Sequence, residues 1–241
     1  MKTILSKILL PVMALGVLVA FQPLPAYADG ISDTAKIIRG GKLYDKWFKV
    51  IKAEKPKETH KAWPTSNTKK KGNTTWRCKS CHGWDTKGKD GAYAGGSYKT
   101  GIPGIRSYMN KDSASIIAVL KDSTHGLAGK MSDADFSDLA MFVSKGQIVM
   151  ENYIDGSTKK IKGGNVAPGK IYYQTLCMQC HGASGELPKD MPMMGKLMGN
   201  PWETMHKIMN GQPAEKMPSL RALNTQVTLD IMSYMGTLPK K

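Results

Sequence analysis

All four cysteines of this 241-residue chain lie in two copies of one pentapeptide pattern, Cys78-Lys79-Ser80-Cys81-His82 and Cys177-Met178-Gln179-Cys180-His181. Two thiols three positions apart share one helical turn, where they can reach the two vinyl groups of a single porphyrin and form thioether bonds. The adjacent histidine then lies beneath the ring as the proximal ligand of the iron. The pattern predicts two covalently bound haem c groups, one held by Cys78 and Cys81 with His82 on the iron, the other by Cys177 and Cys180 with His181. Such pairs have three other uses. A disulfide within each pair suits an oxidising compartment. A thioredoxin-like redox pair needs a βαβ context that the flanking sequence lacks. A zinc site built from both pairs would have to bridge the 99 positions between Cys78 and Cys177, far beyond knuckle spacings. With haem attached, no thiol remains as a nucleophile or as a distal iron ligand.

The first 28 residues read as an export signal. Lys2 and Lys7 give a basic start, Ile8 to Phe21 an apolar run, and Ala26-Tyr27-Ala28 a small-x-small cleavage site. The apolar run holds Pro11 and falls short of the ~20 residues that a membrane span needs. The expectation is therefore a periplasmic protein with no integral membrane segment after cleavage. The formal net charge of +16 becomes +14 when Lys2 and Lys7 are removed. Such a surface suits acidic redox-partner proteins, whose approach it would steer. Anionic lipid headgroups are a weaker candidate. An exported chain argues against nucleic acid, whatever its charge.

The two clusters also mark an internal repeat. Gly169-Lys170-Ile171-Tyr172 precedes Cys177, and Gly41-Lys42-Leu43-Tyr44 repeats the phrase before Cys78, with an extra 29 residues intervening. That insertion, about residues 50–75, carries Lys52, Lys55, Lys57, Lys61, Lys69, Lys70 and Lys71 with Pro56 and Pro64. It reads as an exposed loop, the sharper alternative being a docking or haem-covering element. Ser132 opens a helix with Phe136, Leu139, Ala140 and Val143 as its apolar stripe. Asn224 opens its counterpart with Val227, Ile231, Tyr234 and Met235, at a constant offset of 92. Between motif and closing helix each half has a middle helix, Asp112 to Lys121 and Pro201 to Asn210. No run alternates with period two. The predicted class is all-α, as two tandem domains, 29–147 and 168–241, joined by a Gly-, Lys- and Ser-rich linker over 148–167 that reads as semi-flexible and partly packed through Ile148, Met150 and Tyr153. A core of some 75 residues is marginal alone, and a bound porphyrin would add the apolar surface it lacks.

The distal ligands follow from position. Met217, followed by Pro218, lies seven residues before the Asn224 cap, on a loop free to cross a distal face. A thioether there gives His/Met ligation. The same offset of 92 places His125 at the corresponding point of the first half, seven residues before Ser132. His125 is the choice for that iron, with Met131 as the alternative. His60 and His206 read as surface or packing residues. Pro103 and Pro192 are candidates to offer a backbone carbonyl to each proximal histidine. The Met191–Met198 group reads as packing.

Gly-x-x-x-Tyr, Cys-x-x-Cys-His-Gly, the Met217-Pro218 loop and a closing helix with an aromatic resemble class I cytochrome c, and the duplication makes the chain similar to diheme periplasmic cytochromes c. The resemblance covers nearly all of residues 30–238. It implies the cytochrome c fold twice over and electron transfer as the role: a soluble carrier of single electrons, not an enzyme. The alternative is a haem enzyme, or the electron-transfer subunit of a periplasmic dehydrogenase or peroxidase. The insertion and the missing Met-Pro in the first half depart from the family pattern.

Overall fold

The structure, a computed structural model, describes residues 25–241, with side chains from residue 32. The expected export signal thus lies outside the described residues except for its last four positions. The chain is all-α: nine α-helices and no strand among the described residues. None of these helices is long and apolar enough to cross a membrane.

The first half begins with α1 (Pro25–Val50), broken at Lys46. The first Cys-x-x-Cys-His forms the single turn α2 (Cys78–His82). Then come α3 (Ser113–Lys121) and α4 (Asp133–Met141), the latter continued by a wide π turn over Phe142–Gly146. Asp112 caps α3 by accepting from the Ser115 amide at 3.0 Å. At α4 the Ser132 hydroxyl and the Asp135 carboxylate cap each other's backbone amides reciprocally. The second half repeats the plan with α5 (Val166–Leu176), the motif turn α6 (Met178–His181), the short α7 (Met194–Leu197), α8 (Pro201–Asn210) and α9 (Thr225–Met235). Each half has its own buried core. Leu43, Trp47, Ile116, Phe136, Leu139 and Phe142 belong to the first, and Tyr173, Met205, Ile208, Leu229, Ile231 and Met232 to the second.

The two halves are fastened in the same way, and the fastening corrects the repeat register by one residue. In each, the opening and closing helices cross at a glycine, where a Cβ would overlap a carbonyl oxygen: Gly40 against Asp138, and Gly169 against Asp230. Four residues further, on the same helical face, a tyrosine hydroxyl donates to the carbonyl of the glycine after the motif. Tyr44 reaches Gly83 at 2.6 Å, and Tyr173 reaches Gly182 at 2.8 Å. Tyr44 packs on Phe142 and Tyr173 on Tyr234, with ring centroids 5.2 and 5.3 Å apart. The equivalent pairs are therefore Gly40 with Gly169 and Tyr44 with Tyr173. Gly41 and Tyr172, aligned from sequence, are the neighbours of the residues that matter. The offset of 92 in the closing helices is reproduced.

Two segments, one expected as an exposed loop and one as a semi-flexible connector partly packed through Ile148, Met150 and Tyr153, are packed. Met150 and Ile154 of the connector are buried in the second core, with Ile148, Tyr153 and Ile161 against it, so the connector is a wall of the second half and not a tether. In the insertion, Trp63, Asn67 and Thr75 are buried while most of its lysines stay exposed. Trp63 Nε1 donates to Asn67 O at 3.1 Å and Asn67 Nδ2 to Lys99 O at 2.9 Å, which ties the insertion to the loop beyond the motif. The lysines set the sequence impression, while the spaced aromatic and amide groups set the fold.

Candidate functional site

The motif turn α2 opens onto a cleft of ≈ 370 Å³ lined mostly by apolar side chains. Cys78, Cys81 and His82 form one side of it, and Tyr44, Trp76, Ile102, Ile105, Ile116, Leu120, Leu127, Leu139 and Val143 contribute to its walls. His125 faces His82 across it, the two imidazoles lying 27° from parallel with centroids 6.3 Å apart. Met131, the alternative distal residue, is buried in the first core and does not line the cleft. Each histidine is held by its Nδ1. His82 Nδ1–H donates to the Pro103 carbonyl at 2.8 Å, as expected for that proline, and His125 Nδ1–H donates to Asp122 Oδ1 at 3.2 Å. Among the described residues neither Nε2 has a hydrogen-bond partner, so both are free to ligate. Burial holds the His82 imidazole down at about 4, against the opposing pull of the Pro103 carbonyl, and so keeps it in the neutral form that binds metals.

In the second half, His181 Nδ1–H donates to the carbonyl of Leu187 at 3.1 Å, which corrects the expectation of Pro192. Here the loop after the motif turns back early. The Leu187 amide also donates to His181 O at 3.0 Å, so one residue does what Gly88 and Pro103 do separately in the first half, where the Gly88 amide reaches His82 O at 2.8 Å. Cys177 and Met217 are partly buried and pack against the same second core, and Cys180 is exposed. Leu176 and Met178, the apolar neighbours of Cys177, are exposed at 41% and 37%, an apolar surface beside the motif that a planar cofactor could cover.

Three of the four motif cysteines lie in surroundings that favour the neutral thiol. All four are free. Burial pushes Cys78 and Cys81 up to about 12 and Cys177 up to about 11. A redox dithiol needs the opposite, a thiolate favoured near neutral pH. Among the described residues no three His, Cys, Asp or Glu side chains come together.

Several functional neighbours were not legible in sequence. His206 is fully enclosed between the halves. Its Nε2–H donates to Gly41 O at 2.9 Å, and its ring lies 4.9 Å from Trp84 and 5.6 Å from Phe142. Beside it Asp45 receives Lys207 Nζ at 2.8 Å and the Arg77 guanidinium. Burial would raise the Asp45 carboxyl, but Lys207 and Arg77 outweigh it and hold it at about 2. Arg221 closes the seam by donating to the Gly146 carbonyl at 3.0 Å and to Asn210 Oδ1. Lys79, inside the first motif, is buried with its ammonium 4.1 Å from the Tyr98 ring centroid and 4.9 Å from that of Trp84, and burial lowers it to about 7. His60 also lines the cleft. These residues are scattered over the chain, and no local spacing signals their meeting.

No protein-family model matches the chain, and no curated protein or solved structure shows significant similarity to it.

Proposed function

We propose that the protein is an exported diheme c-type cytochrome, two class I-like lobes in tandem, that carries single electrons between acidic redox partners in the periplasm. The observation that carries this reading is the His82–His125 pair across the cleft that holds both thiols of the first motif. Two imidazoles on one metal, each with nitrogen ~2 Å from it, have ring centroids a little over ~6 Å apart. The 6.3 Å separation fits that requirement, and the free Nε2 atoms are the ones such a group needs.

The haem would supply a one-electron Fe(III)/Fe(II) couple, and the chain would do the rest. Cys78 and Cys81 tether one group, Cys177 and Cys180 the other. His82 and His181 would be proximal ligands, oriented and made more basic by the carbonyls of Pro103 and Leu187. His125 would complete the first centre and Met217 the second. The apolar walls of the first cleft exclude water and limit the reorganisation that a change of charge provokes. A centre filled on both faces leaves no coordination site for substrate, which favours a carrier over an enzyme. The thioether of Met217 should give the second centre the higher potential.

Near-infrared and EPR spectra of the ferric protein test this, with His125→Ala and Met217→Ala alongside. Two low-spin centres, bis-His and His/Met, with each variant converting its own centre alone, are expected. A wild-type protein that binds carbon monoxide rapidly once reduced would overturn the carrier reading in favour of an enzyme.

A further inference from the structure

We propose that His60, carried by the lysine-rich insertion, is the positioning residue of the first distal ligand, and that the insertion serves to clamp the loop bearing His125. The inference rests on the reading of His125 as an iron ligand.

The loop from Asp122 to Leu127 is short: Asp122 to Thr124 are exposed, Leu127 is buried in the first core, and Asp122, three residues away, is the local hydrogen-bond partner of His125. The long-range hydrogen bond of His125 is to His60. The Ala62 amide donates to His60 Nδ1 at 3.1 Å, and since a backbone N–H can only donate, Nδ1 is the acceptor nitrogen. The ring proton is therefore on Nε2, which donates to the His125 carbonyl at 2.9 Å across 65 residues of sequence. His60 is itself held firmly. Its amide donates to Thr75 Oγ1 at 2.8 Å, and its ring stands edge-on to Trp76 at 4.4 Å. The indole of Trp76 in turn donates to Glu58 O at 2.8 Å, closing the insertion on itself. Thr75 and Trp76 lie immediately before Arg77 and Cys78. One imidazole thus links the distal loop to the segment that presents the proximal side. Among the described residues the second half, with no insertion, has no equivalent contact.

A proposed clamp of this kind sets how often the distal ligand leaves the iron. The test compares His60→Phe, which keeps a ring against Trp76 but removes the donor, with His60→Gln, whose amide can still reach the His125 carbonyl. The full holoprotein is used, and the readouts are the rate of carbon monoxide binding to the reduced first centre and the ferric high-spin fraction. Loss of one hydrogen bond should raise both by roughly fivefold to tenfold in His60→Phe. His60→Gln should stay within about twofold of the wild type, and the second centre should not change in either. Equal behaviour of His60→Phe and wild type, or equal gains in both variants, would overturn the clamp. A wild-type first centre whose ferric spectrum lacks a second histidine would instead overturn the assignment of His125, so the two failures are told apart.

Discussion

Acid should loosen the seam between the two halves through His206, and the size of the effect follows from its burial. The imidazole is 1% exposed and has one committed nitrogen, its Nε2–H on the Gly41 carbonyl. A second proton on Nδ1 would create a charge with Trp84, Phe142 and Tyr44 around it and with Lys207 and Arg221 nearby. Burial therefore pushes it from its ordinary value of 6.5 down to about 4, despite the nearby Asp45 carboxylate. Between those values the unfolded chain takes up a proton that the folded one refuses. Folding stability is fully present above pH ~6.5, falls as the pH is lowered, and levels off below ~4. A full proton difference is worth ~1.4 kcal/mol per pH unit, so the loss across this window is about 3 kcal/mol, a large part of a typical 5–15 kcal/mol. The assay is urea unfolding of the holoprotein at pH 7 and at pH 4, in wild type and His206→Gln. The glutamine keeps a donor for Gly41 but does not titrate here. The wild type should lose about 3 kcal/mol more than the variant over this range. Parallel losses in the two proteins would refute the argument, because any contribution common to both cancels in the difference.

Asp45 has the opposite chemistry and its own window. Held at about 2 against an ordinary 3.8, it contributes stability above pH ~4 that is lost as the pH falls through ~2, so the stability gap between wild type and Lys207→Met should be full above pH ~4 and narrow below it. At neutral pH Lys207→Met should cost about 2–4 kcal/mol in the same assay, since it leaves a buried carboxylate with Arg77 as its remaining ion-pair partner. Gly169→Ala forces a methyl group into the Asp230 carbonyl and should lower stability by at least about 2 kcal/mol, while Gly156→Ala, with open space at its Cβ position, should be near neutral. Electron exchange with an acidic partner should slow steeply as ionic strength rises, and a salt-independent rate would deny the basic chain, +14 without its first 28 residues, its steering role.

What the sequence carried was mostly local or repeated. The motif turns, the caps at Ser132 and Asn224, and the offset of 92 between closing helices each need only a few neighbouring residues or a self-comparison, and all three appear in the structure. The first helix misled by one position because Gly40-Gly41 and Tyr172-Tyr173 are doublets, and only the helix crossing decides which member is used. Pro192 was a reasonable carbonyl acceptor by analogy with Pro103, but the shorter second loop brings Leu187 there first. The insertion looked solvated because seven lysines outweigh Trp63, Asn67 and His60 in any composition count. His60 and Asn67 make its long-range hydrogen bonds, and buried Trp63 holds Asn67 in place. His206 fits both its own helix and the opposite half, since α8 buries Met205 and Met209 in one core while presenting His206 to the other. A pattern of burial on two faces cannot be divided between partners before the partners are known.

The central claim is that each Cys-x-x-Cys-His turn is the covalent seat of one haem. Intact-mass measurement of the protein isolated from a periplasmic extract, repeated on Cys78→Ala/Cys81→Ala and on Cys177→Ala/Cys180→Ala, tests it most directly. The account predicts an increment of two haems on the polypeptide and of one haem on each double variant. A wild-type mass equal to that of the bare polypeptide would contradict it.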